Sequence, residues 1–214
     1  MSGRHDREKS AAGTEAAELV EAGMTVGLGT GSTVGFFLTA LAARRLDIRC
    51  VATSGRTEEV ARELGLALEP FETLDRLDIA VDGADQIDPA GWLVKGGGAA
   101  HTREKIVAAA ADRFVVIASS DKVVETLAPP VPLELLRFGL GATLRAVGHA
   151  QLRDCPPSPD GGVIADYLGP LDDPGDLAER LASTPGVVEH GLFPPALVAE
   201  VLVGRGDEVE RRTL

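Results

Sequence analysis

Positions 95–98 read Lys-Gly-Gly-Gly, and Glu104 follows six residues after the last of these glycines. Three adjacent glycines are costly to order and are rarely kept for a turn alone. Beside Lys95 they would let the amides of Gly96, Gly97 and Gly98 and the lysine ammonium converge on a developing oxyanion. Glu104 falls near the first turn of a helical run with Arg103, Lys105 and Ile106, where the helix dipole favours its carboxylate form. A carboxylate beside an oxyanion site is what enolisation requires, so the segment suits proton transfer next to a carbonyl. The bland alternative, a surface glutamate in a first helical turn, would win without the preceding glycines.

Three other loops carry polar residues. Residues 29–33 read Gly-Thr-Gly-Ser-Thr, where a following helix N-terminus offers N–H groups to an anion and Thr30, Gly31, Ser32 and Thr33 add hydroxyls and close backbone approach. The loop is not a nucleotide motif: a P-loop needs a lysine after its last glycine, and the dinucleotide fingerprint needs a glycine where Ser32 stands. A plain strand-to-helix turn explains it about as well. Residues 82–85, Asp82-Gly83-Ala84-Asp85, place two carboxylates three residues apart. In isolation they read first as a capped turn, second as sugar-binding or proton-relaying groups, and third as Mg²⁺ ligands. Lys122 follows an apolar strand through Ser119, Ser120 and Asp121, and Lys9 lies in the first helix; each alone reads as a surface lysine. His101 has no triad or metal partner in the sequence and reads as pocket edge or surface. Trp92 is expected to pack beside the 95–98 loop.

Helix, strand and loop alternate around these residues. Helices are expected over 11–22, 34–45, 57–64 and 102–111, and strands over 24–28, 48–53, 77–81 and 114–118. That alternation implies a parallel, Rossmann-like α/β sheet, which takes ligands at the carboxyl ends of its strands. After Pro129, Pro130 and Pro132 the texture changes. Strands over 131–135, 151–154, 163–167 and 187–193 and helices over 140–150 and 176–182 give the order βαββαβ, a ferredoxin-like α+β arrangement. The expected division is an α/β catalytic domain over 1–128, to which 199–214 returns, and a small α+β domain over 129–198.

Composition bounds the rest. The 214 residues, 44% hydrophobic, suffice for one sizeable core or a main domain with a smaller attachment. Cys50 and Cys155, the only cysteines, are far apart, so neither a disulfide framework nor a zinc site is expected. No run of about eighteen apolar residues is present, and the charged N-terminal stretch lacks the apolar segment of a signal peptide. The expected location is cytoplasmic, without membrane contact. A formal net charge of −12 argues against nucleic acid as a partner, because an acidic surface repels phosphates.

Taken together, GTGST, DGAD and KGGG followed by Arg103-Glu104-Lys105 resemble, in order and spacing, ribose-5-phosphate isomerase of the A type. The resemblance also takes in residues 115–122 (VVIASSDK), 132–135 (PLEL) and 184–193, and so covers nearly the whole chain. It implies interconversion of D-ribose 5-phosphate and D-ribulose 5-phosphate in the non-oxidative pentose phosphate pathway, with no metal or organic cofactor, by a homodimer or homotetramer. Carried over, Glu104 is the proton acceptor and residues 95–98 the oxyanion turn. Asp82 and Asp85 then bind the sugar and assist ring opening. Thr30 to Thr33, Lys122 and Lys9 contact the phosphate or hydroxyls.

The chain departs from the family pattern at three places: Gln86 stands where glutamate is usual, residues 158–162 (SPDGG) replace a TDNGN turn, and 118–122 (ASSDK) replaces an aspartate-and-serine arrangement. These leave open a paralogue acting on another sugar phosphate. Two rivals come from other classes. A non-catalytic sugar-phosphate sensor of a transcription regulator would need a DNA-binding module, for which the short N-terminal stretch offers no room. A coenzyme A transferase using a glutamate nucleophile would need space for a large thioester.

Overall fold

The computed structural model describes residues 2–214, which fold into α1 (Ser2–Glu18), β1 (Thr25–Leu28), α2 (Ser32–Ala43), β2 (Arg49–Ala52), α3 (Gly55–Glu63), β3 (Ile79–Gly83), β4 (Gln86–Ile87), β5 (Leu93–Val94), α4 (His101–Ala110) and β6 (Phe114–Ser119). The chain continues through β7 (Val131–Leu135), α5 (Leu140–Val147), β8 (Ala150–Leu152), β9 (Val163–Tyr167), α6 (Pro174–Ala182), β10 (Val187–His190), β11 (Leu192–Phe193), β12 (Glu200–Arg205) and β13 (Glu208–Thr213). The described residues form two compact units, one of residues 2–84, 103–123 and 196–214, the other of residues 85–102 and 124–195. The units do not follow a linear break at residue 128, because 85–102 groups with the later segment.

The first unit is built on a six-stranded sheet of order β13-β12-β6-β3-β1-β2, parallel throughout except for β13. Every residue of β6 is buried, as a central parallel strand covered on both faces requires. On one face Val26, Leu28, Val81, Val115 and Ile117 pack with Ala12 and Ala16 of α1 and Phe37 and Leu41 of α2. The two helices approach so closely that a Cβ on Gly13 would lie 2.7 Å from the Phe37 nitrogen. Gly27 points to the opposite face, where a Cβ would lie 2.5 Å from Val107 of α4. Among the described residues, no helix is long and apolar enough to cross a membrane.

One expectation needed revision here. The first helix spans Ser2–Glu18 rather than 11–22, because the charged stretch is itself helical and Arg4 pairs with Glu8 at i,i+4. The apolar run near 198–203 joins the parallel sheet as β12 beside β6. The charged tail after it is a strand, β13, whose Arg211 reaches the buried Glu200 at 2.7 Å. Its charges suit an edge strand.

The second unit holds a four-stranded antiparallel sheet of order β10-β7-β9-β8, the ferredoxin-like arrangement, and a three-stranded sheet of order β11-β5-β4. Leu133, Leu135, Ala165, Leu177 and Leu181 form part of its core. Trp92 packs against this core, which also contains Val94, the residue before the 95–98 loop. The strand expected over 187–193 breaks at Gly191: β10 pairs with β7 and β11 with β5. The Gly191 N–H donates to Pro132 O at 2.7 Å, and its carbonyl accepts from Lys95 N at 2.8 Å. A Cβ there would lie 2.2 Å from the Lys95 carbonyl oxygen, so the crossover between sheets requires glycine. The strands β4 and β5 have two residues each, too short for any period to show.

Glu8 ties α1 to the turn after β6. Fully buried, it accepts from the Ser120 N–H at 3.0 Å and the Ser120 hydroxyl at 2.9 Å. Burial alone would raise its pKa, but these hydrogen bonds and Arg4 outweigh it and bring the carboxyl from 4.5 down to about 2. A carboxylate with a depressed folded pKa stabilises the fold above its unfolded value and loses that contribution as the pH falls. Urea unfolding of the parent against Glu8→Gln should therefore show a parent advantage that is complete above pH 4.5 and shrinks toward pH 2. A pH-independent difference would rule out this role.

Candidate active site

The first unit carries Lys9, the 29–33 loop, Asp82, Gly83, Ala84, Glu104 and Lys122. The 29–33 loop joins β1 to α2, and Asp82 lies at the end of the adjacent β3. Asp82, 3% exposed, accepts through one oxygen from Thr30 N at 3.0 Å and Gly83 N at 2.7 Å. A Cβ on Gly29 would lie 2.0 Å from that carboxylate, so the close approach needs glycine. Gly31, with φ 136°, caps α2.

The Thr30 hydroxyl points into a buried hydroxyl chain. It donates to Ser54 Oγ at 2.8 Å, Ser54 to Thr57 Oγ1 at 3.1 Å, and Thr57 to the Gly29 carbonyl at 2.8 Å. Thr30 thus contributes structure through its side chain. Sequence reasoning missed Ser54 and Thr57, although a serine before a helical run signals an N-cap, and Ser54 does accept from Thr57 N at 3.2 Å. Lys9 reaches the loop from α1, its Nζ donating to Ser32 Oγ at 3.0 Å. Lys122, half-buried, lies 3.7 Å from Asp121.

Glu104 is not a surface glutamate. It is 3% exposed in the first turn of α4, and His101, expected at a pocket edge or surface, is fully buried.

The second unit carries Asp85, Lys95, Gly96, Gly97 and Gly98. Asp85 accepts from Gly97 N at 2.8 Å, and a Cβ on Gly97 would lie 2.9 Å from the Asp85 carboxylate. Gly96 has φ 102°, and a Cβ there would lie 2.7 Å from the His101 ring. Ala99 also takes a left-handed φ of 61°, a conformation that costs a non-glycine residue roughly 1 kcal/mol or more. Lys95 is 2% exposed, its Nζ 5.4 Å from the Phe193 ring centroid, a cation–π contact. Arg153 donates to the Gly96 and Gly97 carbonyls and pairs with Asp166. Nothing in the sequence connected it with the loop.

Asp82 and Asp85 therefore brace different glycine turns. Among the described residues, the only grouping of three or more His, Cys, Asp or Glu donors close enough to share a metal is His5, Glu8 and Asp121. There Glu8 is engaged by Ser120 and Arg4, and Asp121 accepts from the Ser119 hydroxyl at 2.5 Å.

The sequence model of ribose 5-phosphate isomerase A (phosphoriboisomerase A) matches residues 49–208. The chain belongs to this family. It is 48% identical over 215 residues to ribose-5-phosphate isomerase A of a Caulobacter species, covering 93% of this chain and 94% of that protein. With the Natronomonas pharaonis enzyme of the same name it shares 45% over 229 residues, 99% of each chain. The ribose 5-phosphate isomerase A structure from Methanocaldococcus jannaschii superposes with a TM-score of 0.91 at 34% identity, over 96% of this chain and 98% of that one. A further ribose-5-phosphate isomerase structure, in complex with phospho-erythronic acid, gives 0.90 at 34% over 96% and 97%.

Each departure from the usual family pattern has a local partner. Gln86 Nε2 donates to Ala128 O at 2.7 Å while its Oε1 accepts from Ala128 N at 2.8 Å, a two-way contact that a glutamate cannot make. Ser120 of the 118–122 turn is held by Glu8. Ser158 of the altered turn donates to the buried Glu134 at 2.5 Å and accepts from Gly162 N at 3.0 Å. Gln86→Glu should lower stability by about 1 kcal/mol at neutral pH, because a carboxylate then faces the Ala128 carbonyl. Chemical denaturation giving equal midpoints for the two proteins would show the amide to be irrelevant.

Proposed function

We propose that Glu104 transfers a proton between C1 and C2 of a linear pentose 5-phosphate while Lys95 and the glycine turn hold the enediolate oxygen. As a member of its family, the chain is an aldose–ketose isomerase acting on ribose 5-phosphate. The observation that carries the residue assignment is the burial of two ionisable groups, Glu104 at 3% and Lys95 at 2% exposure, close in sequence on the two sides of a glycine turn. Removing such groups from water costs several kcal/mol each, and catalysis is a reason to retain them.

In the forward direction the Glu104 carboxylate takes the proton from C2. The C–H electrons form the C1=C2 double bond, and the carbonyl electrons move onto O1. Lys95 and the turn amides stabilise the O1 charge. O1 then gains a proton as O2 loses one, and Glu104 returns its proton to C1, leaving a C2 ketone. Asp82 and Asp85, besides bracing the turns, hold the sugar hydroxyls and assist ring opening. Lys9, the 29–33 loop and Lys122 receive the phosphate or hydroxyls. The product is D-ribulose 5-phosphate, the pathway the non-oxidative pentose phosphate route, the location cytoplasmic and the assembly a homodimer or homotetramer. Sedimentation as a monomer would remove the last point. Neither a sensor nor a coenzyme A transferase accounts for near-full-length identity to named isomerases.

Glu104→Gln should bind ribose 5-phosphate with near-parental affinity while kcat falls roughly 10²–10⁴-fold in a coupled ketose assay. Parental turnover would overturn the assignment. The parent should keep its rate in the presence of a chelator; loss of activity there would refute a metal-free mechanism.

A further inference from the structure

We propose that Arg153 is a positioning residue for the isomerisation, setting the direction and polarity of the oxyanion-turn amides from their carbonyl side. The inference rests on the reading of residues 95–98 as the turn that holds the enediolate.

The geometry lies within the second unit. Arg153 follows β8, its N–H donating to Ile164 O of β9 at 3.0 Å. Its Nε donates to Asp166 Oδ2 at 3.0 Å and its Nη2 to Asp166 Oδ1, a two-point fork across neighbouring strands. The hydrogen bonds it donates to Asp166 hold the guanidinium firmly charged against the opposing effect of burial. The remaining arm, Nη1, reaches Gly96 O at 3.0 Å and Gly97 O at 3.2 Å.

A trans peptide is planar, so its N–H points opposite to its C=O. The Gly96 carbonyl shares a peptide with the Gly97 N–H, and the Gly97 carbonyl with the Gly98 N–H. With both carbonyls drawn to Arg153, both N–H groups must point the other way. The Gly97 N–H then meets Asp85 at 2.8 Å, while Gly98 is solvent-exposed. Glycine has no side chain to fix these planes. The Gly96 carbonyl also accepts from Ala99 N at 3.0 Å, which closes the turn, and Arg153 adds its hold on the Gly97 carbonyl. A guanidinium on the carbonyl side also polarises each amide, making its N–H a better donor to an anion. The turn therefore offers the Gly98 N–H as its spare donor, with Asp85 and Arg153 gripping the turn from opposite sides.

Lysine at 153 keeps the charge but cannot hold Asp166 bidentately and both carbonyls at once. Removing one oxyanion donor outright costs about 10²–10³-fold in kcat, so misorienting one in Arg153→Lys should cost roughly 10-fold or more. KM for ribose 5-phosphate should change by less than about threefold, since the loss is specific to the charged transition state. Phospho-erythronic acid, whose carboxylate carries an enediolate-like charge, should lose affinity by about the same factor as kcat. Asp166→Asn, which keeps the guanidinium but weakens its anchor, should show the same pattern to a smaller degree. If either folded variant keeps parental kcat and parental affinity for phospho-erythronic acid while only its melting temperature falls, Arg153 is a structural ion pair and the proposal is wrong. Glu104→Gln assayed alongside separates the two levels: its inactivity beside a fully active Arg153→Lys rejects only the role of Arg153, whereas an active Glu104→Gln rejects the mechanism itself.

Discussion

Glycine-rich turns have no side chains to hold their peptide planes, so the direction of each N–H depends on what accepts it or grips the carbonyl behind it. The two carboxylates of the 82–85 motif meet this constraint. Asp82 accepts from Thr30 and Gly83, and Asp85 accepts from Gly97. Each carboxylate sits so close to its glycine that any Cβ would collide, at 2.0 Å for Gly29 and 2.9 Å for Gly97. Glycine and aspartate at these positions are therefore mutually required, which accounts for motifs far apart in sequence behaving as one.

The surrounding fold supplies the fixed points. In the first unit, a continuous parallel sheet places the β1 and β3 ends side by side, and the Thr30–Ser54–Thr57 chain closes on the Gly29 carbonyl. In the second, Gly191 passes the chain from one sheet to the other and holds the Lys95 backbone.

Departures from the family pattern remain local for the same reason. Gln86 replaces a charge with an amide that satisfies both backbone groups of Ala128, and Ser120 brings a donor to a buried Glu8. A buried polar group can change its identity when its partner changes with it. Neither Gln86 nor Ser120 makes these contacts with Glu104 or the 95–98 turn.

Much of this was legible in the sequence. The alternation of apolar runs predicted the parallel sheet and the βαββαβ order, because periodicity and turn residues are local signals. The glycine clusters and Glu104 marked the candidate site, because such residue types are costly to retain otherwise. Pairings between residues distant along the chain were not legible. The strands β4, β5 and β13, the crossover at Gly191, the burial of His101, and the partners of Thr30, Glu8 and Gln86 all depend on what the fold brings near. Arg153 is the clearest case: in sequence it is one arginine before a proline-rich turn, and only the pairing of β8 with β9 sets it against Asp166 and the Gly96 and Gly97 carbonyls. Residue type and spacing determined which groups could react, whereas the direction of each amide and the burial of each charge were decided by long-range packing, which no local pattern encodes.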